Sequence, residues 1–271
     1  MYEEQLKDIA VKFDLHLRRP AEALYSFHAA ELLDEAGMRS FAESYKPLMK
    51  ALDAGAVGAY FAGWLASVAL AVQYSLSFYP AVPVIALSDL DIHLIPAGTY
   101  CRIAYSLRNL RMEAAPEDPE ARACWRDRLL TELYRDTIGP LFETMTVVSG
   151  LPAGELWGQF PSKFNYYLEM FAAGNDNTKQ VKRLQADYEA LKGKLPGEIF
   201  GLRRNPFQVQ VRWIQSLADP EQKVQMKTRC CLYYRTEGGS CCFTCPRLKE
   251  EERERQRTEY RQLASAAPAT E

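Results

Sequence analysis

The stretch Ala59-Tyr-Phe-Ala-Gly-Trp-Leu-Ala-Ser-Val-Ala-Leu-Ala-Val-Gln-Tyr-Ser-Leu-Ser-Phe78 decides how the chain is organised. It lies inside residues 54–88, which contain no Asp, Glu, Lys or Arg. A run of this length is long enough to span a bilayer. Its composition argues otherwise, because Ala, Ser and Gly outweigh Leu, Ile and Phe. No basic flank of the positive-inside kind borders it, and no second such segment occurs. A helix buried in a globular core explains the same residues. The chain is therefore read as built around a buried helix, with loose membrane association left open.

Working outward toward the N-terminus, Val11, Phe13, Leu15 and Leu17 alternate with Lys12, Asp14, His16 and Arg18. That period of two predicts a half-buried strand ending at Pro20. Phe27, Leu32, Leu33, Met38 and Phe41 suit one or two amphipathic helices between Leu24 and Lys50, broken near Gly37 and Pro47. Beyond the buried helix, Pro80 and Pro83 stop the run. Val84–Leu94 and Thr99–Leu107, joined by Ile95-Pro-Ala-Gly98, predict a β-hairpin. The three histidines, His16, His28 and His93, all fall in the first hundred residues. A lone strand histidine such as His93 reads as a packed residue rather than a ligand.

Glu113–Glu120, acidic and containing Pro116 and Pro119, is the expected lobe boundary. The chain then reads as helical. Trp125, Leu129, Leu130, Leu133, Ile138, Leu141 and Phe142 are spaced for a helix over Glu120–Ser149, interrupted at Gly139-Pro140 and capped by Gly150. A second helix runs from about Leu151 toward Ala173. A third, basic helix reaches Lys194, capped by Asn177 or Thr178. The expected fold class is α+β and predominantly helical, with an N-terminal mixed lobe over 1–115 holding a small antiparallel sheet. A helical lobe covers 116–262, and 263–271 is expected to be a disordered tail.

A length of 271 residues and 48% hydrophobic content allow a substantial core, so disulfide staples are not needed. The net charge of −2 does not suggest a nucleic-acid partner. Charge is uneven, however, with 12 Lys or Arg against 5 Asp or Glu between Lys179 and Arg235. An anionic ligand nearby is one reading of that excess, and a solvated helix face is the other. The N-terminal Met-Tyr-Glu-Glu-Gln-Leu-Lys-Asp is acidic and lacks an apolar core segment, which points to a cytoplasmic address.

The basic region leads into Arg229-Cys-Cys-Leu-Tyr-Tyr-Arg-Thr-Glu-Gly-Gly-Ser-Cys-Cys-Phe-Thr-Cys-Pro246, which holds five of the seven cysteines. In a reducing compartment such clusters are more often metal ligands or redox groups than bridges. Cys101 and Cys124, on a predicted strand and helix, read as small buried hydrophobes. Within the cluster the spacing is Cys230-Cys231, ten residues, then Cys242-x-x-Cys245. A zinc ribbon shows two Cys-x-x-Cys knuckles, whereas adjacent side chains diverge and suit one tetrahedral ion poorly. A two-iron cluster spreads its ligands more widely, so the spacing favours [2Fe–2S] without excluding zinc. Lys227, Arg229 and Arg235 would stabilise a negative cluster, and Gly238-Gly239 lets the backbone reverse between the ligand pairs.

This arginine-led Cys-Cys, with its ten-residue gap and Cys-x-x-Cys, resembles the C-terminal signature of the FhuF-type ferric siderophore reductases. The segment Leu151-Pro…Leu156-Trp157-Gly158 resembles that family's preceding helix start. The resemblance implies a [2Fe–2S] cluster held by Cys230, Cys231, Cys242 and Cys245. It also implies a cytoplasmic protein passing one electron to Fe(III) in a siderophore of the hydroxamate type, releasing Fe(II). Cys241 departs from the pattern and is read as a spare thiol, an alternative ligand or part of a thiol switch. Lys163, Arg203, Arg204, Arg212 and Arg229 are candidates to line a site for an anionic complex, and Trp213, Tyr233 and Tyr234 to shield the cluster. No Gly-x-Gly-x-x-Gly follows a strand, so an external donor, a ferredoxin-like protein or a reductase, is expected. An iron–sulfur redox sensor and a zinc-stabilised binding module are the competing classes.

Overall fold

Glu3–Phe13 forms a helix (α1) where the alternation of Val11, Phe13, Leu15 and Leu17 predicted a strand. Gln5, Ile9 and Phe13, four residues apart, are the positions it buries, while Val11 is 85% exposed. Asp14 in the left-handed region ends α1, and only Leu15–His16 (β1) is extended. The computed structural model describes residues 2–266 of the chain.

Tyr25–His28 (β2) is a strand where a helix was expected, followed by a short 3-10 turn over Ala29–Leu33. The helix Glu35–Leu48 (α2) begins at Asp34, whose carboxylate accepts from the Ala36 and Gly37 amides. Gly37 therefore sits in its first turn and Pro47 in its last, rather than between two helices.

The uncharged stretch is one helix of 25 residues, Ala54–Phe78 (α3), started by the Asp53 side chain accepting from Ala56 N at 2.9 Å. It is long and apolar enough to cross a membrane, yet 83% of its apolar window is buried inside the fold. The small residues that weaken a spanning reading let α1, α2 and the later helices pack closely on every side of it. Ala81–Pro83 (β3) follows. Leu90–Ala97 (β4) and Tyr100–Leu107 (β5) form the expected hairpin, turning at Gly98-Thr99 with Gly98 at φ +64°. These strands build a four-stranded sheet in the order β1-β5-β4-β2, antiparallel except for the β1–β5 edge. Met112–Ala114 (β6) pairs with β3.

All three histidines are on the four-stranded sheet. His93 is buried between the Ser26 and Ser106 hydroxyls, at 2.9 and 2.8 Å, and burial lowers its pKa to about 4. It is a neutral, satisfied sheet residue.

Pro119–Glu132 (α4) continues through a π-helical segment, Leu133–Ile138, into Gly139–Ser149 (α5). The interruption expected at Gly139-Pro140 is thus a widened turn rather than a break. Pro140 has no amide proton to return, and the Gly139 amide bonds one residue further back, to Tyr134 O. Gly150, at φ +69°, caps α5. Ala153–Trp157 (α6), Phe160–Ala173 (α7) and Thr178–Lys194 (α8) follow, the last capped by Asn177. Asp187 of α8 is fully buried against Arg122, Arg126 and Ser77, locking α8 and α4 to the end of α3. Leu90 and Ile103, before the Glu113–Glu120 connector, share one continuous core with Leu130, Phe142 and Trp157 after it.

A small hairpin of Trp213–Gln215 (β7) and Lys223–Gln225 (β8) precedes the cysteines. After them Glu250–Ala266 (α9) extends through residues 263–266, where a tail was expected; 267–271 lie outside the described residues. The fold is α+β and predominantly helical, with the antiparallel sheet in the N-terminal half and helices beyond it.

Candidate functional site

The chain arrives at the first cysteine pair already anchored. Thr228 N donates to Ser162 Oγ at 2.7 Å, Thr228 Oγ1 to Gly158 O at 2.8 Å, and Gln159 Nε2 to Cys230 O at 3.1 Å. These bonds fix Cys230 and Cys231 to the α6–α7 junction. Leu232 then takes φ +58°, an unusual conformation for a buried leucine, and its amide turns back onto Cys230 Sγ at 3.4 Å.

The ten-residue gap is a tied loop. Leu52 N bonds Arg235 O and Glu237 N bonds Lys50 O, both at 2.9 Å, stitching it to the α2–α3 connection. Gly238 has φ +71°, and a Cβ on Gly239 would collide with the Tyr233 carbonyl. No other residue type fits that reversal without moving backbone.

The second pair closes back on the first. Lys227 N donates to Thr244 O at 2.9 Å, laying the two cysteine segments side by side. Cys245 N bonds Cys242 O at 2.8 Å in a tight turn, and Arg247 N donates to Cys245 Sγ at 3.4 Å. Arg253 of α9, almost wholly buried, donates to Phe243 O and Cys245 O, each at 3.0 Å, and pairs with Glu250. One guanidinium thereby holds the carbonyls of the Cys242–Cys245 turn.

The result is two thiol pairs, each joining one cysteine from either side of the loop. Cys230 and Cys245 bring their sulfurs to 3.4 Å, and Cys231 and Cys242 lie close enough for each thiol to shift the other's pKa. Among the described residues no group of three or more His, Cys, Asp or Glu is placed to hold a metal ion. Cys241 is less buried, and Cys245 and Cys242 raise its pKa, so it lies beside the site rather than remote from it.

Electrostatics differ between the pairs. The hydrogen bond from Cys231, with Lys227 close by, pulls the Cys242 thiol down to about 5, and the same bond pushes Cys231 upward. Burial pushes Cys230 up to about 11. Lys227 Nζ lies 3.6 Å from Cys231 Sγ. Burial works against its ammonium, but the Cys231 and Cys242 sulfurs outweigh burial and raise its pKa. The Lys227 ammonium thus sits against the Cys231–Cys242 end of the cluster.

Cys231 opens into a cavity of about 600 Å³ between α7 and the β7–β8 hairpin. Lys163, Lys223, Lys227 and Arg229 line it, with Glu169 as the acidic exception, and Tyr166, Trp213 and Met226 form apolar wall. Lys163 Nζ donates to Gly63 O at 2.9 Å and Ser67 Oγ at 2.8 Å and lies 5.5 Å from the Trp64 ring centroid. Burial pushes its ammonium down to about 8. A Cβ at Gly63 would meet open space, so the missing side chain there contributes to the cavity's room.

Of the predicted cations, Lys163 and Arg229 line this cavity and Arg212 lines a smaller neighbour of about 230 Å³ that shares Lys227 and Arg229. Arg203 and Arg204 are exposed on the turn after the left-handed Gly201 and line neither. Trp213 is in the wall, whereas Tyr233 is exposed and Tyr234 packs under Arg235. Sequence reasoning did not find Ser162, Gln159, Lys223 or Arg253. Only Arg253 left a trace, in the four-residue spacing of Arg253, Arg257 and Arg261 along α9.

No family model and no curated protein sequence matches the chain. The likeness to siderophore reductases therefore rests on the residues of the cysteine cluster themselves.

Proposed function

We propose that the chain is a cytoplasmic ferric siderophore reductase of the FhuF type that holds a [2Fe–2S] cluster. The observation that carries this reading is the cross-loop thiol pairing, Cys230 with Cys245 and Cys231 with Cys242. Four cysteines drawn from both sides of one loop suit a two-iron cluster, whose ligands spread over two metal atoms, better than one tetrahedral ion. Cys230 and Cys245 would hold one iron, and Cys231 and Cys242 the other. When bound, the cluster supplies one electron at a time, enough to convert tightly held Fe(III) to the weakly held Fe(II).

The chain's own residues set the conditions. Leu232 and Arg247 amides donate to the Cys230 and Cys245 sulfurs, and Lys227 places positive charge against Cys231. Hydrogen bonds and cations at sulfur stabilise added negative charge and so raise the reduction potential. Cys230 and Cys245 are buried, while Cys231 faces the cavity, so the Cys231 side is the short route to a ligand. The siderophore complex is the substrate, and electrons come from an external donor of the ferredoxin or reductase class.

The test is a single turnover. Anaerobic protein, reduced and freed of reductant, is mixed with a ferric siderophore and a colour-forming ferrous chelator. About one ferrous ion should appear per protein, faster than with an equal amount of free dithionite. A rate no greater than the dithionite control would rule out a reductase.

A further inference from the structure

Helix α3 carries three glycines, and close packing accounts for two of them. A Cβ added at Gly55 would stand 3.0 Å from Arg235 Nη1, and one at Gly58 only 2.7 Å from Ser149 Cβ. Gly63 has no such neighbour. Among the described residues, nothing outside its own turn comes within 4 Å of a Cβ built there. Glycine inside a helix weakens it relative to alanine, because more backbone freedom is lost on folding. Packing therefore gives no reason for this residue, and the open space beside it is what needs a cause.

That space leads to the cysteines. Gly63 lines the cavity of about 600 Å³, and it also lines a second one of about 270 Å³ walled by Ala59, Tyr60 and Trp64 of α3. The two share Gly63, Gln159, Lys163, Lys227 and Cys231, so they adjoin along one trough that passes Cys231. Lys163 Nζ bonds the Gly63 carbonyl at 2.9 Å, which ties the lining of the trough to α3 at this residue. A helical side chain leans toward the preceding turn. Any side chain at position 63 would thus project over Ala59 and Tyr60, where the two cavities join. A trihydroxamate folded round its iron is bulky in all three dimensions, so it needs a wide opening to bring the metal near Cys231.

We infer that Gly63 is the access residue of the site: its missing side chain joins the two cavities into one trough, wide enough for a ferric hydroxamate chelate to reach the Cys231 side. Gly63 determines specificity rather than catalysing, because it acts by the volume it leaves free. This deepens the reductase reading and rests on it for the nature of the chelate. Seating the chelate transfers no electron, so binding and reduction can be measured apart.

The experiment titrates the full chain, as purified, with the redox-inert gallium(III) complex of a linear trihydroxamate, in wild type, Gly63→Ala and Gly63→Leu. Wild type should bind, and Gly63→Leu should bind at least about tenfold more weakly, because its branched side chain overlaps the seated chelate. The iron content and visible spectrum of Gly63→Leu should match wild type. So should the rate at which its dithionite-reduced form passes one electron to the compact acceptor hexaammineruthenium(III). Gly63→Ala should raise the urea midpoint, since alanine favours the helix and meets no neighbour. A lower midpoint would mean that packing requires the glycine, and would overturn the inference whether or not the leucine variant folds. Absence of binding by wild type, binding that Gly63→Leu leaves unchanged, or an equal slowing of the ruthenium reaction would overturn it as well. Ferric chelate reduction at the wild-type rate by Gly63→Leu would overturn it too, while leaving the reductase reading intact. Gallium chelate binding that Gly63→Leu abolishes, in a protein that yields no ferrous ion in the single turnover, would uphold the access role and remove the reductase reading instead.

Discussion

Replacing Cys245 with serine should remove most of the iron and acid-labile sulfide from the protein, whereas Cys241→Ser should keep most of both. Cys245 is 1% exposed, sits 3.4 Å from Cys230 Sγ, accepts from the Arg247 amide and is held from its carbonyl by Arg253. Serine lacks the soft sulfur that binds iron in such clusters. Cys241 is more open than Cys245 and lies beside the site, where Cys245 and Cys242 shift its thiol. Iron and sulfide analysis of the two variants, with Cys242→Ser as the third member, tests the ligand set. If Cys241→Ser loses its iron and Cys242→Ser does not, the second side is ligated by Cys241 and Cys245 and the pairing derived above is wrong.

The second large effect lies far from the cysteines. Asp187→Ala should destabilise the fold by about 3–5 kcal/mol, the usual cost of stripping one partner from a buried charge network. Asp187 is fully buried and accepts from Arg122 Nη1 at 2.9 Å, Arg122 Nη2 at 2.8 Å, Arg126 Nη1 at 3.2 Å and Ser77 Oγ at 3.0 Å. Among the described residues, its removal leaves Arg122 without a charged partner, and Arg126 with Asp127 alone, between α3, α4 and α8. Urea unfolding followed by far-ultraviolet circular dichroism reads the loss as a lower midpoint. A change below about 1 kcal/mol, the size of an ordinary surface substitution, would contradict the network's role.

Much of the scaffold was legible because single physical rules governed it. An uncharged run rich in small residues had to be enclosed by other helices, and α3 is. Asn177 and Gly150 announced helix ends through their own backbone chemistry, and both cap where expected. The N-terminal helix was not legible, because two periodicities coexist there. Val11 and Phe13 fit a strand, while Gln5, Ile9 and Phe13 fit a helix, and only tertiary packing of Ile9 and Phe13 against the core decides between them. The π-helical segment hid behind Pro140, since a proline signals a lost hydrogen bond but not how the chain repairs it.

At the candidate site the five cysteines were visible and their cross-loop pairing was not. Adjacent side chains were expected to diverge, but nothing in the sequence showed that Cys230 meets Cys245 while Cys231 lies beside Cys242. The β7–β8 hairpin was missed because strands of three residues are too short to show alternation. With it went Lys223 as a cavity cation. Arg253 lay in the run Glu-Glu-Glu-Arg-Glu-Arg, which reads as a solvated face, yet the guanidinium is buried against the cysteine turn.

The central claim, that Cys230, Cys231, Cys242 and Cys245 hold a [2Fe–2S] cluster, meets its most direct test in the anaerobically purified full chain. Its visible spectrum and metal content, followed by electron-spin resonance after dithionite, should reveal a brown protein with thiolate-to-iron charge-transfer absorption and a signal from one unpaired electron. A colourless protein containing one stoichiometric zinc and giving no such signal would contradict it.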